Sequence, residues 1–236
     1  TPENINEPFK NFVKAVEEKS GGRVKFNVYY SNSLVPVNEI PKAVSTGVAD
    51  MSACPPYVFP SVFPLCGEIT GLPFLGMPSM DAAYDIYMQL FEKHPEMKAE
   101  FEKLGIKVLG GYMMPPQQIM NATDKRIVNP SDLKGRKIIS PKAAFGKIIS
   151  AAGAAPVSQN VSDYYMSLER GVAEGVATHI PSTFAFGLAP LIKQVVVFGE
   201  GGLNMDMFFF VINQGVWDKL PDDVKAIFEE EMVNLH

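Results

Sequence analysis

Two hydrophobic periods alternate along the whole chain, and this constrains its fold more than any other feature. Apolar residues three and four apart bury one stripe of a helix. Apolar residues two apart bury one face of a sheet. Phe9, Phe12, Val13 and Val16 follow the first spacing, and Gly21-Gly22 stop that helix. Val24, Phe26, Val28 and Tyr30 alternate with Lys25, Asn27 and Tyr29, which predicts a strand. A helix over Glu39–Ser45 and a strand over Ala49–Ala53 come next. Ser79 caps a long helix predicted to run to Leu104, Gly105 ends it, and Ile106–Met113 reads as a strand. Pro130–Gly135 reads as a capped single turn. Beyond it lie strands over Arg136–Ser140, Ala155–Val157, Glu174–Thr178, Gln194–Phe198 and Met207–Asn213. Helices over Lys142–Ala152, Ser162–Arg170 and Pro181–Leu188 separate them, and a last helix starts near Pro221. Such alternation implies an α/β protein with mostly parallel pairing. Two α/β lobes are expected, over residues 1–117 and 118–204, with residues 205–236 crossing back to the first. A cleft between two lobes is a natural small-molecule site.

The segment holding Pro55, Pro56, Pro60, Pro64, Pro73 and Pro78 cannot be a long helix or a central strand, because proline lacks the N–H donor. We read it as ordered loop packed by Phe59, Phe63, Leu72 and Phe74.

Composition removes several classes of function. The 236 residues are 47% apolar and 20% charged, with a net charge of −5, which supports a core and excludes a disordered chain. The acidic balance argues against nucleic acid as a partner. The best apolar run, Met205 to Ile212, contains Asp206 and falls far short of the roughly 18–20 residues of a membrane span. Thr1 opens directly into helix-like sequence, so any targeting segment is expected to have been removed or never present. Cys54 and Cys66 are too few for a disulfide scaffold or a Cys-type zinc site. One bridge in an oxidising compartment and two buried free thiols both remain open.

Enzyme motifs are absent: there is no G-x-S-x-G elbow, no phosphate loop of the Walker type and no H-E-x-x-H. Gly199-Glu200-Gly201-Gly202 fails as a dinucleotide fingerprint, because the third glycine position is Asn204. No cofactor, metal or catalytic residue is expected. Of the histidines, His94 sits among charges and His236 is terminal. His179 follows a strand, where cleft residues lie in open α/β folds. It reads as a ligand contact, a structurally satisfied histidine or, with Asp206 or Glu174, an acid–base group.

Several stretches together resemble one family. They are Val16–Val24 with Ser33-Leu34, Gly47-Val48-Ala49-Asp50-Met51, Leu72-Pro73-Phe74-Leu75 and Pro130-Ser131-Asp132-Leu133-Lys134-Gly135-Arg136-Lys137-Ile138. Gly153-Ala154-Ala155-Pro156-Val157, Tyr165–Gly175 and Trp217-Asp218-Lys219-Leu220-Pro221 complete the set. In order and spacing these resemble the substrate-binding proteins of tripartite ATP-independent periplasmic (TRAP) transporters, of the dicarboxylate-binding type. The resemblance implies a two-lobed periplasmic-binding-protein architecture with hinge strands that closes on a small organic solute. It also implies delivery to TRAP permease membrane subunits, a periplasmic location after removal of a signal peptide, and no chemistry on the solute. Relative to the family, a first strand before Thr1 and a longer helical tail after His236 are expected to be missing.

One departure bears on the solute. The family grips a carboxylate with an arginine after the Leu-Lys-Gly turn, where the guanidinium makes two parallel hydrogen bonds. Ile139 stands at that position. A second arginine, before the strand equivalent to Ile119–Asn121, is replaced by the neutral Gln117 and Gln118. The family's asparagine after the acidic-Gly pair corresponds to Thr178. The expected ligand-binding residues are Pro55, Tyr57, Met113, Gln117, Ile139, Thr178, His179, Asn204 and Asp206. They suit a neutral, hydroxylated or amine-bearing solute. Lys142 can still supply a positive charge, so an organic monocarboxylate or aromatic acid is the alternative. A solute-sensing domain of a signalling system and an enzyme using His179 are the others.

Overall fold

The computed structural model describes residues 7–30, 33–140 and 143–235. Helices α1 (Glu7–Lys19) and α2 (Ile40–Ser45) precede strand β1 (Met51–Cys54). Helices α3 (Pro64–Gly71), α4 (Met80–Lys93) and α5 (Pro95–Glu102) follow, then strands β2 (Ile106–Met113) and β3 (Gln117–Asn121). The next stretch holds β4 (Lys137–Ile139), α6 (Ala143–Ala151), β5 (Ala155–Val157), α7 (Tyr164–Glu169), β6 (Gly175–His179), α8 (Ile180–Ala185) and β7 (Gln194–Val196). The chain returns through β8 (Met207–Asn213), α9 (Gln214–Lys219) and α10 (Asp222–Val233).

The strands form two sheets, ordered β1-β8-β2 and β5-β4-β6-β3-β7. The expected parallel majority is not found. Strand β8 enters between β1 and β2 and runs antiparallel to both. Strand β3 is antiparallel to β6 and β7. Parallel pairing is confined to β4 with β5 and β6, where α6 and α7 supply the helical crossovers that parallel neighbours require.

The central strands of each sheet are buried on both faces. Along β8, Met207, Phe209 and Val211 face a core shared with Phe63, Phe91 and Phe101. Phe210 and Ile212 face the opposite core with Phe12, Trp217 and Phe228. Rings of Phe9 and Phe12 stack on Phe210 at 5.7 Å. In the second sheet Ile119, Ile138 and Ala177 pack with Phe145 and Ile149 of α6. Met120, Ile139 and Val176 pack on the other face with Tyr164 and Leu168 of α7.

Three local expectations change. The single helix over residues 79–104 is two, because Pro95 has no N–H and forces His94 out of helical conformation (φ −116°, ψ 87°). Residues 24–30 keep the alternation, with Val24, Phe26 and Val28 half-buried between exposed neighbours. No strand among the described residues pairs with them, so they are extended chain. The Phe26 N–H donates instead to Glu17 Oε1 at 2.8 Å, and its ring packs 6.2 Å from Phe12.

The proline-rich segment is more than loop. Residues Pro56–Val58 form a 3-10 turn and α3 follows. Helix α3 has no cap of its own at Phe63. Glu100 of α5, nearly buried, accepts the N–H groups of Leu65 (2.7 Å) and Cys66 (3.0 Å). That satisfies two of the orphan donors of a helix N-terminus. At the other end, Asn204 Nδ2 donates to the carbonyls of Thr70 and Leu72. Both caps lie far away in sequence.

Cys54 and Cys66 are free and buried in the same core. Burial pushes both thiols well above their ordinary pKa, so neither forms thiolate near neutrality.

Glu100→Ala is expected to cost about 2 kcal/mol in urea unfolding, because two buried N–H groups lose their acceptor. Glu100→Gln should recover part of the loss. A Glu100→Ala midpoint equal to the native one would show that α3 does not depend on this cap. Thiol reagents should label Cys54 and Cys66 only under denaturing conditions, and reductant should leave Tm unmoved. Rapid labelling of the folded protein would contradict their burial.

Candidate functional site

The carboxylate of Asp206, just before β8, is fully buried. A bare charge there would be very costly, and three side chains from other segments offset the cost. Gln117 Nε2, at the start of β3, donates to Asp206 Oδ2 at 2.6 Å. His179 Nε2, at the end of β6, lies 3.1 Å from the same oxygen. The Tyr57 hydroxyl, from the turn after β1, also hydrogen-bonds the carboxylate. The cluster therefore joins both sheets.

A carboxylate in its ionised form only accepts, and Gln117 Nε2, the Tyr57 hydroxyl and a His179 with its proton on Nε2 can all donate to it. Burial, reinforced by Asp206, holds the Tyr57 phenol well above its ordinary pKa, so it stays a protonated donor. With Nε2–H on Asp206, His179 Nδ1 is left to accept from the Ser182 hydroxyl, 3.4 Å away. Side-chain donors hold Asp206.

Local backbone geometry sets this up. Gln117 N–H donates to the Asn204 carbonyl at 2.8 Å, and Leu203 N–H donates to the Gln117 carbonyl at 2.7 Å. Gly202 permits that approach. Its φ is +58°, and a Cβ there would sit 2.5 Å from the Gln117 carbonyl oxygen.

The other candidates are placed differently. Direct partners across β3 and β6 share a sheet face. Gln117 pairs with His179 and Gln118 with Thr178, so Thr178 lies on the face opposite to the Asp206 cluster. Ile139 is on that second face too, fully buried among Met120, Tyr164 and Val176. Met113 is opposite Met207 in register and forms core. Pro55 precedes the 3-10 turn that carries Tyr57. Asn204 lies beside Gln117, but its amide caps α3. Lys142, with Pro141, lies outside the described residues.

Topology puts the cluster at the carboxyl edge of the parallel strands of the second sheet. Strands β4, β5 and β6 are parallel and β3 runs against them, so the start of β3 meets their carboxyl ends. Ligands bind at that edge in open α/β sheets. Gln159, two residues beyond β5, is at the same edge, and its Oε1 is buried with no partner among the described residues.

Sequence reasoning did not nominate Ser182, and it read Phe74 as packing the proline-rich segment, whereas its ring is half exposed. Phe74 has φ +57°, the only positive value outside glycine among the described residues. Its N–H donates to the Leu203 carbonyl at 2.8 Å, and its half-exposed ring meets Phe198 at 6.1 Å. No local motif signals that conformation. Two surface hollows, of about 250 and 540 Å³, lie against α4 and between α3 and α5. Neither touches Asp206. Among the described residues no group of three or more His, Cys, Asp or Glu gathers as a metal site would. No described helix is long and apolar enough to cross a membrane.

Asp206→Ala is expected to cost at least about 3 kcal/mol, since Tyr57, Gln117 and His179 would keep buried donors without an acceptor. Asp206→Asn should cost less. Denaturant unfolding checks both, and an alanine variant within about 0.5 kcal/mol of native would remove Asp206 from its central place.

Comparison with known proteins identifies the family and the fold. The family described as bacterial extracellular solute-binding protein, family 7, matches residues 3–235. A solute-binding protein of Albidiferax ferrireducens is 27% identical over 217 residues, which is 91% of this chain but 62% of that relative. The chain thus spans under two thirds of that relative's length. An extracytoplasmic solute receptor of Bordetella pertussis that binds pyroglutamic acid superposes with a TM-score of 0.82 at 23% identity, over 97% of this chain and 73% of its own. A TRAP solute-binding protein from a marine metagenome, specific for aromatic acids and complexed with 3-hydroxybenzoate, gives 0.83 at 23% identity, over 96% and 70%. The chain has the two-lobed α/β fold of these proteins, and it belongs to the bacterial extracellular solute-binding protein family 7.

Proposed function

We propose that this chain is the solute-capturing part of a periplasmic receptor that hands a small organic solute to the permease of a TRAP transporter. The family match over nearly the whole described chain carries the reading. The lobes divide at residues 1–117 and 118–204, with residues 205–236 crossing back. In support, the first sheet draws β1, β2 and β8, and the second draws β3 to β7. The solute binds between the lobes at the edge where Gln117, His179 and Asp206 meet, and Tyr57 completes its wall.

The solute is neutral, hydroxylated or amine-bearing. Three observations favour this. The buried charge of the cluster is negative. Ile139 is packed in core. Arg136, the buried arginine, donates to Asn121, Thr123 and the carbonyls of Asp132 and Lys125, so its fork is occupied. A second reading, a small organic acid, is favoured by the pyroglutamate and 3-hydroxybenzoate held by the structural neighbours. Both readings are of capture without chemistry. The ring nitrogens of His179 are engaged by Asp206 and Ser182, which suits positioning rather than proton transfer to a substrate.

A thermal-shift screen over polyols, amines and organic acids tests this. A true solute at a hundred times its Kd adds about 2.7 kcal/mol, or roughly 5–10 °C in Tm for a chain of this size. The bound compound should be recovered unchanged. A folded protein that no compound shifts would refute the receptor reading, and a shift by carboxylates alone would decide for the acid.

A further inference from the structure

Gln117 carries one more piece of information. Its side chain is almost wholly buried, and its two ends are treated differently. Nε2 is tied to Asp206 at 2.6 Å. Oε1 is buried with no hydrogen-bond partner among the described residues. An amide can ordinarily turn over and exchange its oxygen and nitrogen. Here it cannot, because turning it would bring a carbonyl oxygen against a carboxylate that only accepts. The other neighbours reinforce the direction: His179 Nε2 and the Tyr57 hydroxyl also spend their protons on Asp206.

A buried acceptor left empty costs free energy, and this one stands at the carboxyl edge of the second sheet, where α/β sheets take ligands. Resting on the receptor reading above, we infer that Gln117, locked by Asp206, is a specificity-determining residue that presents a fixed acceptor to the solute. The solute must place an N–H or O–H against Gln117 Oε1, whatever charge it carries elsewhere. Asp206 acts here as a positioning residue that holds Gln117 in this orientation. The site selects for a donor by the same arrangement that neutralises its own buried charge.

Pairs of compounds of equal shape, differing only in a donor, test this by calorimetric titration of the native chain. The pairs are pyroglutamate with its ring-oxygen lactone, 2-pyrrolidinone with γ-butyrolactone, and 3-hydroxybenzoate with 3-fluorobenzoate. We expect the donor member of at least one pair to bind about tenfold more tightly than its twin, the worth of one such hydrogen bond. In Gln117→Met that ratio should fall towards one. Should Gln117→Met fail to fold, Asp206→Asn serves, because an amide at 206 lets Gln117 turn and should collapse the same ratio. Twins that bind the native chain equally, or a ratio that survives both substitutions, would overturn the inference. Binding of none of the six compounds would overturn it also, whereas the receptor reading falls only if the wider thermal-shift screen is empty as well.

Discussion

A carboxylate with no exposure to water must be surrounded by donors, and the donors around Asp206 come from both sheets. Tyr57 follows β1, Gln117 begins β3 and His179 ends β6. Satisfying one charge therefore fixes how the two sheets meet. It also determines where the return strand enters, since Asp206 immediately precedes β8 and its carbonyl accepts the Met114 N–H at 2.8 Å. Strand β8 then fills the centre of the first sheet, between strands more than ninety positions earlier in the chain.

The same logic of distant satisfaction explains α3. Its N-cap is Phe63, which offers no side-chain acceptor, and it contains Gly67 and Gly71, so local signals for a helix are weak. Glu100 supplies the acceptors at one end and Asn204 the donors at the other. Asn204 thereby couples the proline-rich segment to the residues flanking Asp206. Phe74 is held nearby in a conformation that L-residues rarely adopt. Such strain persists only where the surroundings over-determine it, here through its hydrogen bond to Leu203 and its contact with Phe198.

What was legible in the sequence follows from this distinction. Helix α1, strand β2, the turn at Pro130 and strand β8 could be read directly, because apolar spacing and caps are local. Residues 24–30 show the limit of that reading, since alternation reports a half-buried face but not whether a ladder partner exists. Pro95 breaks a helix whose apolar spacing continues on both sides of it, so the spacing alone conceals the break. Strand direction was misjudged since alternation of element types does not encode which crossovers are helical. At the site, Tyr57, Gln117, His179 and Asp206 were each nominated from position in the chain, and the structure brings these four together. It leaves Thr178 and Ile139 on the other sheet face. Sequence could not show that the four share one carboxylate, because that depends on register: Gln117 opposite His179, one residue from the alternative that would turn both away.

Fold and ligand chemistry are separable here for a physical reason. Structures about 23% identical to this chain superpose on it with TM-scores above 0.8. Apolar periodicity and a few buried caps maintain the fold, and many residue types satisfy them. The chemistry of a site rests on fewer atoms. An arginine at position 139 would add five donors and a charge, whereas isoleucine adds volume to the core of Met120, Tyr164 and Val176. On the other face, the polar atoms at the sheet edge are arranged around Asp206, and Gln117 Oε1 is left without a partner among the described residues. A chain can therefore keep the fold of its family while the few atoms that would meet a solute change. Similarity of backbone does not carry over the ligand, and the orientation of one locked amide carries more information about it than the rest of the fold.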